Sequence, residues 1–320
     1  MNGDMMKIRL GYVGTPITIP NITYSSTVTY TNYLKLGEQK GLEKIDQVIQ
    51  SNFHHLKKVL HYNLQNNITF YRLSQNLIPL ATKKEVSFDY SIPYQQQFSE
   101  ISQIIHRHHM RIDTHPDQFC VLNSTKKEVV EQSIQILKFH YQLLTNLKIP
   151  PHMILHIGSN TFGKKQAMAR FKKQFLKLPN ELQKSIYLEN DDKTFTVNDT
   201  LSLCEELHVP FVLDYHHHCC NHEQLDLTLL LPRIVNTWKD TKLNPKMHFS
   251  SPKNRKEFRS HSEYLDIQAF LKFLKILQPL ATDIDIMLEC KAKDDALFRL
   301  MRQIQFYTDY QIINESTFLI

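Results

Sequence analysis

Short apolar runs rich in strand formers alternate along the chain with longer stretches whose apolar residues recur at helical spacing. IRLGYVG at 8–14 reads as a strand, and 15–35, rich in Thr, Tyr and Asn without a period, reads as a loop. Between about 41 and 66, Leu42, Ile45, Val48, Ile49, Phe53, Leu56 and Leu60 predict the first helix. TFYRL at 69–73 is a second strand, followed by a loop to 94, a helix at 95–109 and a strand at 110–114 that Pro116 ends. Ser124 is placed to cap a helix reaching 147, with Glu128 and Glu131 in its early turns.

The second half repeats the alternation. Strands are predicted at 153–158 (MILHIG), 185–190 (SIYLEN), 210–215, 246–250 (KMHFS) and 283–290 (DIDIMLEC). Helices are predicted at 164–176, 196–207 with Thr196 or Asn198 as cap, 224–236, 262–277 and 293–307. Eight strands, each followed by a helical segment, argue for a parallel sheet. The number eight points to a closed (β/α)8 TIM barrel, expected as a single domain over residues 1–320. An open doubly wound sheet is the alternative, but no GxGxxG or GxxxxGK[ST] loop supports it.

Composition narrows the setting. Hydrophobic residues make up 42% of 320, no apolar run is long enough to span a bilayer, and the first ten residues lack the apolar core of a secretory signal. Cys120, Cys204, Cys219, Cys220 and Cys290 form no CxxC pair, which fits reduced thiols and a cytoplasmic location. A net charge of +6 tolerates a polyanionic partner without demanding one.

The chemistry sits where strands end. FVLDYHHH at 211–218 runs from a buried strand into a carboxylate and three imidazoles. Other predicted strands finish alike, with Tyr12, His115, His156, Glu189, Asp214 with His217, His248 and Glu289 at or near their C-terminal ends. In a (β/α)8 barrel these ends meet at one rim. Singly, His115 could cap a strand, His156 could be a core histidine, and Glu189 could open a solvated acidic turn. Together, so many carboxylates and imidazoles require cations. Mixed His and carboxylate ligation without Cys suits zinc, manganese or iron, and a shared carboxylate allows a two-metal clamp. His54, His55, His61, His106, His108 and His109 fall on predicted outer helices and read as solvated. Lys164-Lys165 and Lys172-Lys173 also read as surface charge, whereas the basic stretch 253–259 is placed on the rim.

IRLGY at 8–12, FYRLSQNLIPLAT at 70–82, THPDQFCVLN at 114–123, LHIG at 155–158, LENDD at 188–192, VLDYHHHCCN at 212–221, KMHFSS at 246–251 and MLECKAKDDA at 287–296 resemble the UV damage endonuclease family. These are metal-dependent DNA repair enzymes on a TIM barrel, related to endonuclease IV. The resemblance implies nicking immediately 5′ to cyclobutane pyrimidine dimers and 6-4 photoproducts in duplex DNA. It implies two or three divalent ions, manganese first and zinc or magnesium as alternatives. It makes His115, His156, Glu189, Asp214, His217, His248 and Glu289 the metal ligands, with His261 a looser match, and Glu189, Lys246 and His248 the catalytic group. Lys246 falls on a lysine that can be carboxylated in relatives.

By the same resemblance Gln118 and Phe119 probe the DNA, Phe119 standing where relatives have Tyr, and Tyr12 and Arg72 line the lesion pocket or hold phosphate. Where relatives have His after LIPLAT, Thr82 is followed by Lys83-Lys84. Lys83 is therefore expected to contact phosphate or set a positive charge near a depleted metal site. The relatives' asparagine after Tyr12 is also missing from Val13-Gly14-Thr15-Pro16. The rival readings are a metal-dependent sugar isomerase or epimerase on a similar barrel, and a DNA-damage binder that does not cut.

Overall fold

The structure is a computed structural model that describes residues 5–86, 88–222 and 226–320. Its first half runs β1 (Lys7–Val13), α1 (Tyr30–Leu36), α2 (Glu38–Gln65), β2 (Phe70–Arg72), α3 (Gln95–Arg107), β3 (Arg111–Asp113), α4 (Lys127–Asn146) and β4 (Met153–His156). It continues with α5 (Lys164–Phe175), α6 (Asn180–Gln183), β5 (Ile186–Glu189), α7 (Val197–Leu207), β6 (Phe211–Asp214) and α8 (Tyr215–Cys220). The last elements are α9 (Leu227–Asn236), β7 (Lys246–Phe249), α10 (Ile267–Leu277), β8 (Ile284–Leu288), α11 (Lys293–Tyr307), β9 (Gln311–Asn314) and β10 (Thr317–Leu319).

The strands lie parallel in the order β3-β2-β1-β8-β7-β6-β5-β4. A parallel bridge between Thr114 and Met153 joins the exit of β3 to the start of β4 and closes the barrel. β1 is seven residues long and β2 only three, so β2 meets β1 at Tyr12 and Val13 alone. The lower edge of β1, Lys7 to Arg9, pairs instead with antiparallel β10 of a C-terminal hairpin. That pairing covers an edge that would otherwise expose unpaired backbone groups. At Gly11 a Cβ would stand 2.3 Å from the Phe70 carbonyl oxygen, so only glycine lets β1 and β2 approach this closely.

Period-2 alternation gives each strand an inner face, and much of this inner face is charged. Asp285 accepts from Arg9 Nε at 2.9 Å and from Arg111 Nη1 at 2.6 Å. Asp113 accepts from Lys246 Nζ at 2.6 Å and lies 3.7 Å from Arg72 Nε. Arg72 Nη1 in turn donates to Glu289 at 2.5 Å. A column of alternating charge thus rises from the barrel floor to its C-terminal rim. The opposite wall is apolar: Ile154, Tyr187, Val212 and Trp238 pack together, and the Trp238 indole donates to the Phe211 carbonyl.

Several local expectations change. α4 begins at Lys127 behind Lys126, which makes no side-chain cap; the Ser124 hydroxyl accepts from the Lys126 amide in a preceding turn. α10 begins at Ile267, not 262, because Asp266 caps it by accepting from the Ala269 amide. The 15–35 stretch contains α1, capped by Thr29, and is tied down by Asn52, which donates to the Ser26 carbonyl. α7 starts as expected, with Thr196 and Asp199 forming a reciprocal capping box. Residues 224 and 225, the expected start of a helix, lie outside the described residues; α9 is capped by Asp226.

Candidate metal centre

Glu189 ends β5 fully buried, and four imidazoles surround it. His115 Nε2 is 2.9 Å from its carboxylate, His248 Nδ1 2.8 Å, His217 Nδ1 3.5 Å and His156 Nε2 3.7 Å. Register brings these groups together: His156 pairs with Glu189 across β4 and β5, and Asp214 with His248 across β6 and β7. Two sets of donor atoms, each set within 4.8 Å, share Glu189: His115 and His156 on one side, Asp214, His248 and Glu289 on the other.

Backbone carbonyls fix the histidine tautomers. His115 Nδ1 donates to the Pro116 carbonyl at 2.8 Å and His217 Nδ1 to the Asn190 carbonyl at 2.9 Å. His156 Nδ1 faces the Glu189 carbonyl at 3.4 Å. Each proton placed on Nδ1 leaves Nε2 with a lone pair, the arrangement that metal-binding histidines use. At His248 the Nε2 lone pair is taken: it accepts from Arg72, which has only donors, at 2.5 Å, so the neutral ring carries its proton on Nδ1, facing Glu189.

The electrostatics point to missing positive charge. Burial would raise Glu189, but His248 and His156 hold it well below the usual carboxylate range. Asp214 goes the other way: burial, with Glu189 and Glu289 nearby, pushes it up to about 8 despite His217. Its Oδ2 is buried without a hydrogen-bond partner. His217 would be lowered by burial, yet Asp214 and Glu189 raise it to about 9. Burial keeps His248 neutral, at about 4. An orphaned carboxylate oxygen beside two further carboxylates and a ring of imidazoles is a donor set that fits divalent cations.

The remaining expected residues divide. His261 stands beside the cluster, its ring 6.4 Å from that of His217, and outside both donor sets. Lys246 lies one inward step below His248, and burial lowers it to about 7 although Asp113 favours its charge. Gln118 and Phe119 are exposed on the loop after β3, and Gln118 lines a cleft of about 530 Å³ together with His156, His217 and His261. Arg72 lines a second cleft of about 460 Å³, with its guanidinium committed to Glu289 and His248.

One residue is not where the resemblance put it. Tyr12 is fully buried and donates to Asn63 Oδ1 of α2 at 2.6 Å; as an even-numbered residue of β1 it faces the helical layer, away from the barrel's inner face. Lys83 packs over the Tyr30 ring of α1 at 4.6 Å and lies 3.6 Å from Glu85. The outer histidines behave as surface groups, His106 bonding the Lys148 carbonyl and His55 the Thr23 carbonyl.

Sequence reasoning missed Asn190 and Asp113. Asn190 is fully buried, donates to the Asp214 carbonyl and accepts from the Asp214 amide, each at 2.9 Å. It thereby locks β6 to the end of β5 while its own carbonyl orients His217. Asp113 stands two residues before His115 at an inward position, so period-2 counting back from the rim ligand would have found it.

Comparison with known proteins gives a consistent result. The profile of the family described as UV-endonuclease UvdE matches residues 8–318. A UV DNA damage endonuclease of Bacillus cereus (strain G9842) is 39% identical over 301 residues, covering 93% of this chain and 95% of that protein. The crystal structure of SacUVDE superposes with a TM-score of 0.84 at 31% identity, over 93% of this chain and 98% of that one. Endonuclease IV from Thermus thermophilus shares the fold, with a TM-score of 0.54 at 12% identity over 79% of this chain and 95% of that one.

Proposed function

Because this chain belongs to the UV-endonuclease UvdE family, we propose that it is a metal-dependent DNA repair endonuclease that nicks duplex DNA immediately 5′ to UV photoproducts. The observation that carries this reading is Glu189, shared by two donor sets at the C-terminal mouth of the barrel. His115, His156 and Glu189 would hold one ion, and Glu189, Asp214, His248 and Glu289 a second, with His217 and His261 beside them. Manganese is proposed, with zinc or magnesium as alternatives, and two or three ions per chain. Such ions would supply Lewis acidity at the scissile phosphate and lower the pKa of an attacking water.

The chain's own residues do the positioning. Arg72 braces Glu289 and His248 from below, and Asn190 aims His217 through its carbonyl. Lys246, at about 7, is partly the free amine near neutrality, the form that carboxylation requires. Phe119, 69% exposed, and its neighbour Gln118 would fill the gap left when a damaged pair flips out, and distorted duplex is cheaper to unstack.

The test is nicking of a duplex carrying one defined cyclobutane dimer, in manganese, against undamaged and chelator controls. Lesion-dependent, chelator-sensitive cleavage 5′ to the dimer is expected. Glu189→Ala should lose cleavage and keep most DNA binding. Normal turnover by that variant would refute the assignment, and binding without cleavage by the wild type would make the protein a damage binder.

A further inference from the structure

Phe162 sits on the loop between β4 and α5, 72% exposed, with φ +66°. Among the described residues it is the only large apolar side chain that is both exposed and on left-handed backbone. A bulky residue there is strained, and the turn it occupies, closed by the Gly163 amide donating to the Asn160 carbonyl at 2.9 Å, would relax with glycine or asparagine at this position. Phe306, by contrast, is comparably exposed on an ordinary helix. Strain held in place around an exposed ring motivates a functional reading.

The loop is held firmly. Arg170 lies 5.9 Å from the Phe162 ring centroid, donates through Nη2 to the Thr161 carbonyl at 2.5 Å and through Nε to the Asn123 carbonyl at 2.9 Å. Asn123, fully buried, exchanges two 2.7 Å bonds with the backbone of Ser159. Asn123 ends the loop that carries Gln118 and Phe119, so both exposed phenyl rings ride on one hydrogen-bonded platform. Gln118 and Ser159 line the same 530 Å³ cleft beside the donor cluster. Lys165, exposed in the first turn of α5, adds positive charge next to the turn.

We propose that Phe162 is a second aromatic contact for duplex DNA, stacking on a base or sugar at the rim of the cleft while Arg170 holds it in its strained turn. The inference rests on the DNA-endonuclease reading above. A ring stack of this kind is sequence-tolerant, and its loss weakens binding by about five- to a hundredfold. Arg170 is a positioning residue here.

The experiment is fluorescence anisotropy of a short labelled duplex, undamaged or with one cyclobutane dimer, in chelator so that no cutting competes. It compares wild type, Phe162→Gly and Phe162→Trp, with melting temperatures measured alongside. Phe162→Gly relieves the left-handed strain, so its melting temperature should hold or rise while affinity for both duplexes falls. Phe162→Trp should keep the affinity. Equal affinity of wild type and Phe162→Gly overturns the inference, and so does a Phe162→Gly variant whose melting temperature drops, because the ring would then be packing. If the wild type itself binds neither duplex, the DNA-endonuclease reading fails first and this inference falls with it.

Discussion

Replacing Asp285 by Asn tests whether the barrel floor is a dry, low-dielectric interior. Asp285 is fully buried and faces two guanidiniums: Arg9 grips both carboxylate oxygens, at 2.9 and 2.5 Å, and Arg111 Nη1 reaches Oδ2 at 2.6 Å. The amide keeps the shape and removes the charge. Neither arginine can escape by losing a proton, so both are left charged against a neutral partner. Breaking a buried pair from one side costs about 3–5 kcal/mol. Arg9 is 22% exposed and recovers some hydration, whereas Arg111, at 8%, recovers little, so a value near the lower end, about 3 kcal/mol, is expected. The internal control is Asp283→Asn, which weakens the half-exposed Lys7–Asp283 pair at 3.0 Å and should cost no more than about 1 kcal/mol. Urea unfolding at constant m reads both differences without adding salt. If the two variants lose the same stability to within about 0.5 kcal/mol, water enters the barrel floor and the reasoning fails.

Other expectations follow from the same geometry. Manganese should raise the melting temperature of the wild type and a chelator reverse it, with about 2.7 kcal/mol of stabilisation at a hundredfold excess over Kd. Glu189→Gln, which weakens both donor sets at once, should lose most of that increment in a thermal shift assay. Burial lowers His140 to about 3, below its unfolded value of about 6.5, so the unfolded chain takes up the proton first. Its contribution is intact above pH 6.5 and lost on acidification towards 3, by about 1.4 kcal/mol per pH unit. His140→Gln should flatten the stability profile between those limits, and an unchanged slope would show that other groups set it. Asn123→Ala removes both bonds to Ser159 and should cost about 2–4 kcal/mol. Hydrogen exchange should then quicken across 157–163, and unaltered protection there would mean the loop is held from elsewhere.

The sequence carried the barrel and the rim donors because both depend on local pattern. Alternating apolar runs and helical periods are written residue by residue, and strand ends fall where a run stops, so His115, His156, Glu189, Asp214, His248 and Glu289 were identifiable before any contact was known. What it did not carry is pairing over long distance. The β9–β10 hairpin is short and weakly patterned, and its role follows only from the edge that β2 leaves open, some three hundred positions earlier in the chain. Tyr12 shows the same limit: its place in a motif suggested a pocket, while strand parity turns it towards Asn63. The contacts of Lys83 with Tyr30 and Glu85 are likewise absent from the motif it interrupts.

The amino-acid order alone therefore determined the parallel (β/α)8 plan and the chemical type of the centre, since periodicity and donor identity are properties of single segments. Only the tertiary structure decided that Glu189 joins two donor sets, that carbonyls of Pro116 and Asn190 set the histidine tautomers, and that Phe119 and Phe162 share a platform through Asn123. Those are relations between segments far apart in sequence. They are set by register and closure of the barrel, which no single stretch encodes.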